Sequence, residues 1–163
     1  MEFFETVRQR HSVRAFKEGA IPQAKLERMV DCARLAATGN NYQPWTFVVV
    51  QDEAKLREFA KAQAFMAQAA AVIAIVADTK TKYWVEDCSA ACEHLLLAAT
   101  ALGYGACWVQ GTMQPFREQF ERLLKIPPSR RLFALVPVGI PAHAVSAPPK
   151  RSLQAVLKWE TFD

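Results

Sequence analysis

The sequence predicts a single domain that mixes helices and strands, and two observations support this prediction. Segments whose apolar residues recur at helical spacing alternate along the chain with short apolar runs that are typical of buried strands. The chain has 163 residues, of which 52% are hydrophobic and 22% are charged. This length and composition are typical of one globular domain with a sizeable core. Because no repeat or linker divides the sequence, we expect one domain over residues 1–163.

The helical segments have apolar residues on one face and charged residues on the other. In the second of them, Leu26, Met29 and Ala33 fall on the same side, while Glu27 and Asp31 fall outside. The predicted helices cover residues 3–9, 23–36, 53–61, 82–102 and 114–125, with a further helical turn at 65–69. Asp52 precedes the third helix, where an aspartate side chain can accept a hydrogen bond from a first-turn amide.

The strand segments are short runs of mostly apolar residues, several of them β-branched. They cover residues 46–50, 71–77, 106–109 and 131–140. Pro137 lies inside the last run. Because proline has no amide hydrogen for a ladder, this residue predicts a strand at the edge of the sheet or a strand with a bulge. Residues 141–149, which follow, are predicted to form a loop.

The longest helical segment, 82–102, is apolar on nearly all sides after Cys88. A helix of this kind is covered all round, by its own domain or by another subunit. One chain of 163 residues has little with which to cover it, so we expect a homodimer with this helix at its centre. The C-terminal residues Leu153, Val156 and Trp159 also need an apolar surface, on their own subunit or on a partner.

Charge and composition exclude several classes of function. The net charge is +4 with both signs interspersed, which suits a small anionic ligand better than a nucleic acid. The longest apolar run, 69–77, is far shorter than the roughly 20 residues of a membrane span, so no membrane partner is expected. The four cysteines have no secretory segment ahead of them. They predict free thiols in the reducing environment of the cytoplasm.

The segment 10–14 has two arginines and a serine at alternate positions. In an extended chain, Arg10, Ser12 and Arg14 point to the same side. Guanidinium groups match phosphate oxygens with paired hydrogen bonds, so one interpretation is a phosphate clamp. The other interpretation is a solvated basic face.

The segment 37–45 joins a predicted helix to a predicted strand and is rich in amide and turn-forming residues. Asparagine and glycine favour turns, and Pro44 moves Gln43 away from helical geometry. The loop therefore exposes several amide side chains where two elements meet. It either faces a ligand or is a polar turn closed by Trp45 in the core.

Other chemistry finds little support. Cys88, Cys92 and His94 lack the further ligands that a tetrahedral zinc site needs, so no metal is expected. Gly103 and Gly105 follow a helix and lack the spacing of a dinucleotide fingerprint. No acid–base pair or activated nucleophile is recognisable, so no catalytic side chain is assigned. If the protein is an enzyme, a cofactor carries the chemistry.

Four motifs, RHSVR at 10–14, GNNYQPW at 39–45, LGYGACW at 102–108 and PKR at 149–151, follow one another in the chain. In this order and spacing the sequence resembles the nitroreductase family of FMN-dependent oxidoreductases, over residues 3–151. The resemblance implies an α+β fold, a nitroreductase-like three-layer α/β/α sandwich with a central mixed sheet. It also implies an intertwined homodimer with FMN at the subunit interface.

The reaction that the resemblance implies has a ping-pong mechanism. NADH or NADPH passes a hydride to flavin N5 and leaves, and a nitroaromatic, a quinone or a similar acceptor then takes the electrons. Two alternatives stay open. One is an FMN-binding protein without turnover, used for storage or regulation. The other is a family relative with a different flavin reaction, such as flavin breakdown or dehalogenation.

The resemblance also implies a set of cofactor-binding positions. They are Arg10, His11, Ser12, Arg14, Thr38, Gly39, Asn41, Gln43, Gln63, Gln110, Gly111, Lys150 and Arg151. Those at 10, 12, 150 and 151 would hold the phosphate and ribityl end, and 38, 39 and 41 would come from the other subunit. A cation at position 14 would stabilise negative charge at the flavin pyrimidine edge.

This chain departs from the family pattern at several points. His11 stands where relatives often have a second arginine, Ala37 and Thr38 replace a Pro-Ser pair, and Gln110 precedes Gly111 where many short relatives have glycine directly. The chain also lacks the longer helical insertions that cover the active site in larger relatives. We therefore expect a flavin face that is open or covered by residues 83–84.

Overall fold

The structure is a computed structural model, and it describes residues 1–144 and 147–162. The helices are α1 (Phe3–Gln9), α2 (Gln23–Ala33), α3 (Glu53–Phe59), α4 (Trp84–Ala101) and α5 (Arg117–Leu123). The strands are β1 (Phe16–Lys17), β2 (Trp45–Val50), β3 (Ala71–Ala77), β4 (Gly105–Ala106) and β5 (Arg131–Pro141). Short 3-10 turns lie at Gly39–Asn41, Ala64–Gln68, Gly111–Phe116 and Leu153–Ala155.

The predicted helices and strands are confirmed, and the differences lie mainly at their ends. The predicted helix 114–125 begins as the 3-10 turn Gly111–Phe116, which contains Pro115, and only Arg117–Leu123 is α-helical. Asp52 caps α3 as expected, since its side chain accepts a hydrogen bond from Lys55 N at 2.9 Å. The predicted loop 141–149 includes residues 145 and 146, which lie outside the described residues.

The sheet has the strand order β1-β5-β3-β2, with β4 also paired to β5. The ladders between these strands are antiparallel. In the described part of the chain, parallel pairing is confined to the bridge between Ser12 and Ala106, which makes the sheet mixed. This bridge fixes the N-terminal segment to the sheet beside β4.

The position of Pro137 corrects one prediction. β5 is an interior strand, because Val138 pairs with β3 on one side and with β4 on the other, so Pro137 is not at an edge. The register shift in the β3–β5 ladder lies between Ile75 and Val76, where it faces residues 132–134 rather than Pro137. The Pro137 carbonyl accepts a hydrogen bond from Cys107 N at 3.3 Å, but proline has no amide to return one.

The missing amide donor of Pro137 coincides with a break in the neighbouring strand. Regular pairing of β4 ends at Ala106, and it resumes only at the isolated bridge between Val109 and Leu135. The predicted strand 106–109 is therefore reduced to a two-residue strand and one bridge. The chain between them is free to turn its side chains toward a cleft.

Side chains of β3 alternate between two apolar clusters, one on each face of the sheet. Ile73 and Ile75 pack with residues of α2 and α4 on one face. Val72 and Ala74 pack with Phe59 of α3 and residues of α5 on the other. This arrangement confirms the three-layer α/β/α sandwich. No helix in the described ranges is both long enough and apolar enough to cross a membrane.

Both ends of the chain expose apolar side chains. On α1, Phe3 and Phe4 are 63% and 65% exposed. The residues 148–162, here called the C-terminal tail, are exposed throughout, with Trp159 at 77% and Phe162 at 90%. The described part of the subunit therefore does not bury the apolar side chains of the tail. A surface on a partner stays a prediction.

Candidate functional site

A cleft of about 230 Å³ opens where the N-terminal segment, the turn Ala64–Gln68 and the chain after β4 meet. We call it the Arg14 cleft. Its lining consists of Arg14, Gln63, Phe65, Cys107, Trp108, Val109, Gln110, Gly111 and Thr112. Four of the predicted cofactor-binding positions, from three distant parts of the chain, are thus brought together: Arg14, Gln63, Gln110 and Gly111.

Two amide side chains enter the cleft from equivalent places in the fold. Gln63 precedes the turn Ala64–Gln68, and Gln110 precedes the turn Gly111–Phe116. Neither side chain caps the turn that follows it. Because an amide has both donor and acceptor atoms, each glutamine can bond to a polar ligand in the cleft without breaking a capping bond.

The N-terminal segment is fixed closely against the sheet. Val13 N donates to Ala106 O at 2.9 Å, and Val13 is buried. A Cβ atom on Gly105 would lie 2.7 Å from the Val13 side chain, so only glycine permits this approach. The residue that follows Val13, Arg14, lines the Arg14 cleft.

Ser12 and Arg14 meet at the buried thiol of Cys107. Burial raises the pKa of Cys107, while the positive charge of Arg14 and hydrogen bonding from Ser12 and Arg14 act in the opposite direction. Arg14 is exposed, and among the described residues no carboxylate lies within ion-pair distance of it. The cleft therefore contains a cation that has no protein anion to neutralise it.

Arg10 and His11 point elsewhere in the isolated subunit. Arg10 Nε pairs with Glu93 Oε1 of α4 at 3.1 Å. His11 Nδ1 lies 2.8 Å from Gln9 O, and its ring lines a different, smaller cleft of about 170 Å³ near Tyr104. Of the three side chains predicted to converge, the structure brings Ser12 and Arg14 together, and Arg10 is held by α4. Cofactor binding by Arg10 and His11 stays a prediction.

The predicted positions Thr38, Gly39, Asn41 and Gln43 form a second group that does not line the Arg14 cleft. They belong to a tight loop, 38–43, that follows α2. Gln43 N donates to Thr38 Oγ1 at 3.4 Å, and Gln43 Nε2 donates to Asn41 Oδ1 at 3.1 Å. The amides of Asn41 and Gln43 are exposed, and a role of this loop in the other subunit's site stays a prediction.

The basic residues of the tail form a third group. Lys150 and Arg151 are exposed, and Arg151 Nη2 donates to Ala155 O at 2.6 Å within the tail itself. Among residues 1–144 and 147–162, no hydrogen bond or ion pair joins Lys150 or Arg151 to the N-terminal segment. Their predicted role at a phosphate is therefore not tested by one subunit.

Three residues at these sites were not predicted to have a role there. Cys107 and Trp108 line the Arg14 cleft, and the indole Nε1 of Trp108 is buried without a hydrogen-bond partner in residues 1–144 and 147–162. Asp87 in the first turn of α4 accepts a hydrogen bond from Gly39 N at 3.0 Å. Nothing in the sequence distinguishes Asp87 from an ordinary acidic residue at the start of a helix.

The cysteines are free thiols in the structure. Burial raises the pKa of Cys88 to about 12, with a further contribution from the negative charge of Asp87. Burial also raises the pKa of Cys92 well above its ordinary value. In the described ranges, no group of three or more His, Cys, Asp or Glu side chains could hold a metal ion.

Comparison with known proteins identifies the relatives of this chain. A family model described as "Putative TM nitroreductase" matches residues 2–163. A "Putative NADH dehydrogenase/NAD(P)H nitroreductase" from Archaeoglobus fulgidus is 36% identical over 153 residues, which cover 86% of each chain. An iodotyrosine deiodinase from Haliscomenobacter hydrossis is 29% identical over 187 aligned positions, which cover 90% of this chain and 82% of the relative.

The fold comparison agrees with the sequence comparison. The crystal structure of a "Putative NADH dehydrogenase/NAD(P)H nitroreductase" from Bacteroides thetaiotaomicron superposes with a TM-score of 0.91 at 28% identity. The superposition covers 98% of this chain and 97% of that one. Sequence and fold thus match over nearly the whole length, and the chain belongs to the nitroreductase family.

Proposed function

We propose that the protein is an FMN-dependent oxidoreductase that uses NADH or NADPH to reduce an electron-poor acceptor, such as a nitroaromatic or a quinone. The observation that carries this proposal is the Arg14 cleft, where an unpaired cation, two free amides and a glycine converge. The similarity to proteins named NAD(P)H nitroreductase supports the choice of reductant.

The residues of the cleft fit a planar, partly anionic cofactor. A Cβ atom on Gly111 would meet nothing within 4 Å, so packing within the subunit does not require glycine at this position. A ligand lying against the backbone there would require it. Phe65 and Trp108 supply apolar surface for a ring system, and Arg14 supplies positive charge. Ligand sites commonly combine apolar surface with a few placed polar groups in this way.

Each side chain then has a defined task. When bound, FMN supplies the ability to accept a hydride from NAD(P)H and to pass electrons to an acceptor. Arg14 places a fixed positive charge where negative charge on a ligand is stabilised. Gln63 and Gln110 orient polar edges through their amides. Because no side chain needs to donate a proton to the acceptor, water fills that role.

A homodimer is part of the proposal. The Arg14 cleft, at about 230 Å³, is smaller than the roughly 300–1,000 Å³ of typical ligand sites, which supports a site completed by a second subunit. The amides of the 38–43 loop and the basic residues of the tail are exposed and lie outside the cleft. A second subunit would bring these groups to the first subunit's cleft, and it would also cover the exposed apolar surfaces of α1 and the tail.

The test is the absorption spectrum of the purified protein with and without NAD(P)H. We expect a yellow protein with FMN near one per chain that loses its colour when NADH or NADPH is added without oxygen. A colourless protein that cannot be reconstituted with FMN would contradict the proposal.

A matched pair of variants tests the contribution of Arg14. Arg14→Ala removes a cation that pairs with no carboxylate among the described residues, and we expect the FMN dissociation constant to rise at least tenfold. Arg28→Ala removes an exposed arginine of α2 and the same unit of charge, so its FMN affinity should equal that of the wild type. Equal FMN affinity in Arg14→Ala and Arg28→Ala would remove Arg14 from the site.

A second candidate function is reductive dehalogenation, because relatives named iodotyrosine deiodinase match most of this chain. In this reaction two electrons and a proton replace a carbon–halogen bond with a carbon–hydrogen bond and release halide. Incubation of the reduced protein with an iodophenol distinguishes the two functions. Iodide release would favour the dehalogenase, and turnover of nitroaromatics or quinones without iodide release would favour the proposed function.

A further inference from the structure

The 38–43 loop is tied to the first turn of α4 by a contact between residues far apart in the sequence. Gly39 N donates to Asp87 Oδ1 at 3.0 Å across a separation of 48 residues. A hydrogen bond to a carboxylate is stronger than one between neutral groups. It is the one side-chain bond in the described residues that joins this loop to another element.

The same glycine packs against an aromatic ring next to Asp87. A Cβ atom on Gly39 would collide with Cδ2 of the Tyr83 ring. Tyr83 immediately precedes α4 and is partly exposed. Glycine at 39 is thus required by the ring, and the ring and Asp87 together fix one end of the loop.

The backbone of the loop needs this support. Asn40, Asn41 and Gln43 have φ values of 51°, 57° and 48°. These values lie in the left-handed region, which residues other than glycine rarely adopt. Asparagine tolerates this region, but glutamine gains no such advantage. Strained backbone of this kind persists where the surroundings hold it, and it is concentrated at functional sites.

The carboxylate of Asp87 is buried in a way that costs the subunit stability. Asp87 is 4% exposed, and its second oxygen, Oδ2, is buried with no hydrogen-bond partner among the described residues. Burying a carboxylate oxygen without a partner is unfavourable. The stability of the subunit alone therefore does not explain an aspartate at this position. Among the described residues, the hydrogen bond that the carboxylate accepts comes from Gly39 N.

We propose that Asp87 is a positioning residue that holds the 38–43 loop in the shape in which it contacts the cofactor. The inference rests on the proposed function, because Thr38, Gly39 and Asn41 are among the positions expected to face FMN. Asp87 does not touch the cofactor in this proposal. It acts through the Gly39 amide, and Tyr83 supplies the opposing surface.

The first experiment measures hydrogen exchange of residues 38–43 in the FMN-free protein. In Asp87→Ala the acceptor is lost, and we expect the loop amides to exchange at least tenfold faster than in the wild type. Asp87→Asn keeps an oxygen that can accept from Gly39 N, so exchange should stay near the wild-type rate. Glu86→Ala, which alters the exposed neighbouring acid, is the matched control and should match the wild type.

The second experiment measures FMN affinity in the same three variants of the full chain. We expect the dissociation constant to rise at least tenfold in Asp87→Ala and to change less than threefold in Asp87→Asn and Glu86→Ala. Wild-type exchange and affinity in Asp87→Ala would overturn the inference. So would an Asp87→Asn protein as impaired as Asp87→Ala, because the acceptor atom would then not be the cause.

Gly39→Ala disturbs the same contact at the loop, and it replaces Asp87→Ala in both experiments if that variant does not fold. The added methyl collides with the Tyr83 ring, so the loop must move and its amides should exchange faster, with weaker FMN binding. Wild-type behaviour of Gly39→Ala would also overturn the inference. If the wild-type protein binds no FMN, the proposed function fails, while the exchange experiment still tests the anchor by itself.

Discussion

The centre of the sheet and the two ends of the chain differ in how far their apolar side chains are buried. In β3 every residue is buried, and in β5 the residues from Leu132 to Gly139 are buried as well. In α1 and the tail, by contrast, Phe3, Trp159 and Phe162 are largely exposed. Both regions are rich in apolar side chains, but only the first is covered by its own chain. The difference shows that the apolar residues of the central strands are buried within one subunit, whereas those at the ends are not; contact of the ends with a second copy stays part of the proposal.

The largest effect should come from a cavity in the core. Phe59 is fully buried and meets Phe120 edge to face at 5.2 Å. Phe59→Ala should lower the free energy of unfolding by about 3–5 kcal/mol. Phe3→Ala, at a site 63% exposed, should change it by less than about 0.5 kcal/mol in dilute, dissociated protein. Denaturant titration of both variants measures the contrast, and similar losses would mean that α1 is part of the subunit core.

An intermediate effect is expected at the tail. The double variant Trp159→Ala/Phe162→Ala removes two aromatic side chains that contribute nothing to the subunit's own core. We expect self-association to weaken at least about 100-fold, because buried aromatic anchors dominate interfaces. The same double variant should also bind FMN more weakly. Sedimentation at several concentrations measures the change, with Val49→Ala on the edge strand β2 as the control. An unchanged dimer would show that the tail is not part of its interface.

The smallest predicted effect is a change of stability with pH, and it comes from a buried cysteine of the core. An unfolded cysteine loses its proton near the ordinary pKa of 9.0, but burial raises the pKa of Cys88 to about 12. Between these values the unfolded state binds fewer protons, so stability is full below pH 9 and falls as the pH rises. From pH 9 to 10, the wild type should lose about 1 kcal/mol more than Cys88→Ala. Chemical denaturation at both pH values tests this, with Ser89→Ala as the non-titrating control; equal losses in all three proteins would contradict it.

The sequence was sufficient for most of the fold because its signals are local. Apolar periodicity located α2 and α4, and β-branched runs located β2 and β3. The place of β5 in the sheet is not a local property. Pro137 correctly signals a missing donor, but sequence alone does not reveal that the donor is missing on the side where β4 is interrupted.

For the candidate site, the motifs identified positions but not their grouping. Arg14, Gln63 and Gln110 do converge on one cleft. Arg10 belongs to an ion pair with Glu93, and this partner comes from a helix more than eighty residues away. Asp87 was missed for the same reason, since its importance lies in a contact with Gly39. Long-range contacts of single polar atoms leave no periodic trace in a sequence.

The late position of β5 in the chain affects how the protein is made. β5 forms ladders with β1, β3 and β4, yet its residues, Arg131–Pro141, are synthesised after those of all three partners. Until they leave the ribosome, the nascent chain has only the β2–β3 ladder, with the apolar strand Ala71–Ala77 unpaired along one edge. Such an edge invites pairing with other chains. We therefore expect the growing polypeptide to need protection by chaperones until β5 emerges and pairs with β3.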